Sequence, residues 1–224
     1  MNNELVRASI AEFLGTFTLV FVGVAAVASG QGVTVAALGH GLVLCGLIFA
    51  YGYISGAHFN PAVTAGLLVG RQITLQRAIF YWVAQVIGCI VAAVLANILI
   101  VDGARLGQTI GSLTTPDTVW TAALFEAVLT FLLVSAIYQA AIFGKIGHLA
   151  ALAVGLTLAG CILAGGTYTG ASLNPARTLG PALVAGDFSY ILPYFVGIFG
   201  GGIVAGLVHV AIFRPNASAD PQAA

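Results

Sequence analysis

Charge is what this sequence has least of. Asp, Glu, Lys and Arg make up 6% of its 224 residues and sum to a formal net charge of zero, where a soluble domain carries roughly 25%. So sparse and balanced a set offers nucleic acid nothing to bind and makes lipid the solvent for most of the chain. Cysteine is nearly absent as well. Cys45, Cys89 and Cys161 are odd in number and lie in apolar runs, which excludes a disulfide framework and leaves apolar packing as their role. His40, His58, His148 and His209 fall at no metal-ligand spacing, and Ser172 has no evident base. No metal, no cofactor and no enzymatic reaction are expected.

What is abundant is apolar. Hydrophobic residues make up 60% of the chain, mean hydropathy is +1.06, and there are 29 glycines. In membrane helices small residues let backbones approach closely. The N-terminus has the outline of a signal peptide, with Arg7, an apolar run and Ala26-Val27-Ala28-Ser29. That run is longer than the 7–15 residues of a signal and contains Glu12, so an uncleaved first span is expected.

Asn-Pro-Ala occurs twice, at Asn60-Pro61-Ala62 and Asn174-Pro175-Ala176, within the near-duplicate phrases SGAHFNPAVTAG and TGASLNPARTLG. Asn caps the free N–H groups of a helix start and Pro fits its first turn. Two helix starts inside apolar sequence mean two helices that begin within the membrane. Irregular backbone survives there only when buried in protein or lining a wet cavity.

A shift of 114 positions superimposes the two motifs and much else: Glu12 on Glu126, Thr16 on Thr130, Gly41 on Gly155, Gly56 on Gly170 and Gly88 on Gly202. The chain therefore reads as a single domain of two repeats, about 5–105 and about 119–214, each with three spans of about 20 residues and one short helix. Spans are expected at about 8–29, 36–54, 78–100, 119–141, 149–165 and 190–212, with short helices at about 61–69 and 175–184. The short helices are about 15 Å long, half of a roughly 30 Å hydrocarbon core. Three spans per repeat is odd, so the second repeat is inverted and the short helices meet tip to tip at the midplane. The fold class is an all-α membrane protein, an inverted repeat of six transmembrane helices plus two half-membrane helices. Residues 215–224 read as a disordered tail. Arg7, Arg71, Arg77, Lys145 and Arg214 fall on the side of both termini, which places the termini in the cytoplasm; with no targeting segment evident and a very short tail, the cell membrane is the expected host.

At the midplane each capping Asn keeps amide N–H groups free to face a lumen and orient a passing oxygen. The two helix N-termini add about half a positive charge each, a barrier to cations where the helices meet.

On SGAHFNPAV at 55–63, TGASLNPAR at 169–177, and Glu12 with Glu126, the sequence resembles the aquaporins, the major intrinsic protein family, over essentially its whole length. The resemblance implies one pore per chain and a homotetramer in the bilayer. It implies that Glu12 and Glu126 are structural acids which accept hydrogen bonds from the loops before the half-helices. It implies an outer selectivity filter at His40, Ile162, Ala171 and Arg177, and a pore-lining His58. Strict water channels of the family usually carry Phe and His at the first two filter positions, glycerol channels Trp and Gly. His-Ile-Ala-Arg is similar to tonoplast-type aquaporins. The expected function is a passive water channel that also passes small neutral solutes such as ammonia, urea and glycerol. The alternatives are a glycerol or urea facilitator, and a coupled secondary transporter, which would need intramembrane ionisable groups of which only the two glutamates qualify.

Overall fold

The computed structural model of the protein describes residues 3–100, 102–144, 146–147 and 149–215; Lys145, His148 and nearly all of the expected tail, from 216 on, lie outside them. Six helices are long and apolar enough to cross a membrane. They are α1 (Asn3–Ala28), α2 (Val33–Ser55), α4 (Leu75–Leu99), α6 (Val119–Ile137), α7 (Leu149–Thr169) and α9 (Ile191–Ile212). Between them stand two short helices, α3 (Pro61–Val69) and α8 (Pro175–Ala185). All eight expected helices are present. The connection at 101–118 contains a further helical turn, α5 (Gly103–Leu106), and α6 runs on as a π-helical turn over Tyr138–Phe143.

Local chemistry fixes where the short helices begin and end. Asn60 is extended at φ −156° and its Oδ1 accepts from Ala62 N at 2.9 Å and from the more distant Val63 N at 3.4 Å. Asn174 does the same for Ala176 N at 3.0 Å and Arg177 N at 3.3 Å. Pro61 and Pro175 follow at the first helical position, where the missing N–H would have no partner anyway. Gly186, left-handed at φ 73°, stops α8, and Gly56, at φ 85°, stops α2 before the first motif.

The packing crosses between the repeats. Within each repeat α1 lies on α2 and α4, and α6 on α7 and α9. The half-helices do the opposite: α3 packs against α9 of the second repeat, and α8 against α4 of the first. At the centre α2 crosses α7. A Cβ built on Gly41 would lie 2.7 Å from the Gly155 carbonyl oxygen, and one on Gly155 would lie 2.7 Å from that of Gly41. No side chain fits at either position, so backbone meets backbone. The largest core cluster wraps this crossing and includes Leu44, Phe59, Leu129, Leu158 and Leu173. Outward faces carry exposed Leu38, Leu42, Ile98, Leu124 and Leu192, as a surface solvated by lipid requires.

Candidate functional site

The two motif loops are bonded to each other. Asn60 Nδ2 donates to Leu173 O at 2.8 Å, and Asn174 Nδ2 donates to Phe59 O at 2.9 Å. Each side-chain oxygen caps its own helix while its amide reaches across to the other repeat. The expectation that both amide hydrogens face a lumen is therefore corrected. One bond per amide ties the repeats together, because Phe59 O and Leu173 O need a donor that no helix supplies at this depth. Of the two hydrogens on each Nδ2, one is left for a passing oxygen.

Those carbonyls are presented by unusual backbone. Ala57, Phe59, Ala171 and Leu173 have φ of 53°, 49°, 41° and 54°, each costing about 1–3 kcal/mol in a residue with a side chain. The buried glutamates hold the loops in this form. Glu12 accepts from Ser55 Oγ (2.7 Å), His58 N (2.9 Å), Phe59 N (2.6 Å) and Gln85 Nε2 (2.8 Å). Glu126 accepts from Thr169 Oγ1 (2.7 Å), Ser172 N (2.9 Å) and Leu173 N (2.8 Å). These bonds meet the partner requirement for an acid in the membrane.

Sequence alone did not reveal how the glutamates are braced. Gln85 also donates to Thr64 Oγ1 at 3.1 Å, but its repeat equivalent is Phe199, so the second repeat lacks this arm. Tyr81 donates to Ser55 O and Tyr194 to Thr169 O, both at 2.7 Å. The acceptors are 114 positions apart and the tyrosines 113, so the alignment of the repeats does not pair them.

Polar side chains run on from the motifs toward either end. His58 Nδ1 lies 3.0 Å from Thr64 Oγ1, which donates to Asn60 O at 3.1 Å. With the Thr64 hydrogen so placed, Nδ1 carries the His58 proton and Nε2 is an acceptor. Around the second motif, Thr109 Oγ1 of the 101–118 connection donates to Thr178 Oγ1 at 3.0 Å, Thr178 bonds Ser172 Oγ, and Ser172 donates to Asn174 O at 2.8 Å.

Arg177 and His40 come together. Arg177 Nε donates to His40 Nε2 at 3.1 Å, and His40 Nδ1 donates to Ala36 O at 2.7 Å. Both ring nitrogens are engaged with a single hydrogen between them, so the imidazole is neutral and its tautomer fixed. Arg177 Nη1 donates to Gly107 O at 2.6 Å. Gly107 follows the turn α5, and a backbone carbonyl has no residue-type signature, so the sequence gives no sign of this partner. Ile162 and Ala171 are buried and share one core cluster.

Three spaces border the candidate site. One, of about 260 Å³, is bordered by Ala36, Gln108 and Ile162. A second, of about 360 Å³ and on the side of the N-terminus, is bordered by Ser55, His58 and Arg77. Between them lies a waist of about 20 Å³, bordered by His40, His58, Asn60, Asn174 and Arg177. A single water needs roughly 10–15 Å³, so the waist has room for about one water. Leu19, Leu44 and Leu158 form its apolar wall.

Six spans, two crossed half-helices and a one-water waist define a membrane channel. The chain matches the major intrinsic protein family over residues 1–209. It is 39% identical to the probable aquaporin TIP3-2 of Arabidopsis thaliana, over 98% of this chain and 88% of that protein. It is 40% identical to the aquaporin TIP4-4 of Zea mays, over 96% and 90% respectively. Among solved structures, the aquaglyceroporin from Plasmodium falciparum superimposes with a TM-score of 0.76 and 26% identity, covering 93% of this chain and 97% of that one. The chain belongs to the major intrinsic protein family, the aquaporins. It is an integral membrane protein and a passive channel for water and small solutes, not an enzyme.

Proposed function

We propose that Asn60 and Asn174 form the midplane station of the pore, and that His40, Ile162, Ala171 and Arg177 form its outer filter. The observation that carries this reading is the crossed pair of Asn–carbonyl bonds beside the one-water waist. Water arriving there loses neighbours on all sides but two. It regains hydrogen bonds from the spare amide hydrogens, from His58 and from Arg177. Cations do not, because two helix N-termini and the guanidinium oppose them. His58 lines the cytoplasmic half, and Glu12 and Glu126 hold the loops without taking part in transport. Ile162 and Ala171 supply an apolar wall wider than an aromatic residue would leave. Ammonia and urea are therefore expected to pass alongside water, with glycerol at the limit of size.

The working unit is a homotetramer with one pore per chain, in keeping with the family likeness and with the apolar outer faces of α2 and α7. Each repeat forms an inverted half of one domain. A cell-membrane setting is expected from the sequence, whereas the TIP-named relatives favour a tonoplast-type membrane. In either, the basic residues near the termini put both ends in the cytosol.

Stopped-flow light scattering on proteoliposomes, with water, glycerol, urea and ammonia compared side by side, tests the reading. Water permeability well above that of lipid alone, unaffected by a proton or sodium gradient, is the expected result. Permeability equal to that of protein-free vesicles overturns it. Glycerol flux without water flux would replace it by the facilitator reading.

A further inference from the structure

The two half-helices share a seam between α4 and α9. α4 and α9 are held apart by α3 and α8, each of which touches both. In the seam lies a cavity of about 110 Å³, apart from the three that border the candidate site. Trp82 and Val86 of α4 form one wall, Phe195 and Phe199 of α9 the other, and Pro61 and Pro175 the floor.

Nothing polar faces it. Proline has no N–H, and Trp82 Nε1 donates to Pro61 O at 3.1 Å, which satisfies the indole and the carbonyl together. Water needs two to four polar partners to occupy a buried site, so the cavity excludes it. The neighbouring Val83, Ile87 and Val196 are exposed and apolar, which makes the cavity continuous with the lipid-facing surface. Its floor is the pair of residues that start the half-helices, so it sits near mid-bilayer, about 15 Å from either edge of the hydrocarbon. Only the ends of lipid chains reach that depth. A second copy of this chain would offer a helix some 10–12 Å across, too broad to enter.

We propose that this seam seats the terminal segment of a lipid acyl chain, packed against Pro61 and Pro175 on the face of the half-helices opposite the pore. A void here forfeits the dispersion contacts of its lining, and a chain end restores them. The ligand is hydrocarbon and the headgroup is immaterial. The proposal does not depend on what the pore conducts.

The chain has two tryptophans, Trp82 and Trp120, which permits a direct test. Trp120→Phe leaves Trp82 as the sole reporter. The full-length variant is reconstituted into phosphatidylcholine brominated either near the chain terminus or near the carbonyl. Terminal bromines are expected to remove most of the Trp82 emission, and carbonyl-proximal ones to leave it. Val86→Phe, which fills the cavity from α4, is expected to abolish the quenching while water flux is retained. Should that variant not fold, Leu179→Phe fills the cavity from α8 and is read in the same way. Quenching that is equally strong in the filled variant overturns the proposal. So does emission that bromine leaves untouched at every depth, as it would were a second copy seated there.

Discussion

Arg177 and His40, 137 positions apart in the sequence, share a 3.1 Å hydrogen bond in which the arginine donates to a neutral imidazole. The guanidinium is held on two sides, by His40 and by the Gly107 carbonyl, with its charge left uncompensated by any acid at bonding distance among the described residues. In the proposed filter, a fixed cation with spare donors repels cations and donates hydrogen bonds to passing water.

Arg177→Ala removes that charge. At about 8 Å and an effective dielectric of about 20, a unit charge contributes about 2 kcal/mol to a cation's barrier, so cation leak is expected to rise about 30-fold. Water flux should change far less. Ion-sensitive dye in proteoliposomes, read beside water flux, measures both; an unchanged leak refutes the role.

Gly23→Ala should disturb the same pair from behind. A Cβ at Gly23 would lie 2.2 Å from His40 Nε2, the atom that accepts from Arg177. The imidazole must move and release the guanidinium, at a cost of about 1–3 kcal/mol for overpacking. A lowered melting temperature in detergent together with altered urea flux is expected. A drop in stability with solute ratios unchanged would mean that the pair does not set selectivity.

Glu12 and Glu126 should differ in importance. Loss of the carboxylate leaves buried donors unmatched, at about 1–3 kcal/mol each. Glu12→Ala strands four donors, including Gln85 in the first repeat, and Glu126→Ala strands three. Both variants should lose yield and thermal stability in detergent, Glu12→Ala more so. Equal melting temperatures would show that the Gln85 arm contributes nothing.

At the end of α8, Asp187 accepts from Ser189 Oγ and N and from Gln108 Nε2 at 3.2 Å, which ties the 101–118 connection to this helix end. The Ser189 bonds hold its carboxyl below the usual carboxylate value. A depressed acid stabilises the fold fully above its unfolded value, about 3.9, and loses that contribution as pH falls through the folded one. Melting temperature should therefore be insensitive to this group from pH 7 down to about 5 and fall below about 4. Asp187→Asn should flatten that acid limb. A limb of the same depth in the variant would assign it elsewhere.

The half-helices were the most legible part of the fold. Asn, Pro and a following Gly mark helix ends by side-chain chemistry, and α3 came out at Pro61–Val69, the expected bounds. The spans were legible in number and only loosely in extent, because in lipid hydrophobicity does not say where a helix frays. The π turn at Tyr138–Phe143 was not legible. It depends on a register of backbone bonds, and Tyr138 is drawn in by its own bond to Gly66 O at 3.0 Å. What stayed hidden at the site was carried by backbone: Gly107 O holding Arg177, and Phe59 O and Leu173 O claiming an amide hydrogen from each Asn. The tyrosine braces were hidden for another reason, since the two repeats had drifted one residue apart where they supply the same bond.

The crossing at Gly41 and Gly155 bears on descent. Equal positions meet, and a Cβ on either glycine would lie 2.7 Å from the carbonyl oxygen of the other; such reciprocity belongs to a two-fold axis, and an isologous contact is complementary to itself. A lone ancestral half, carrying one such glycine, already owned the surface needed to dimerise with its twin. Gene fusion would have had only to join the partners, without inventing the seam between them.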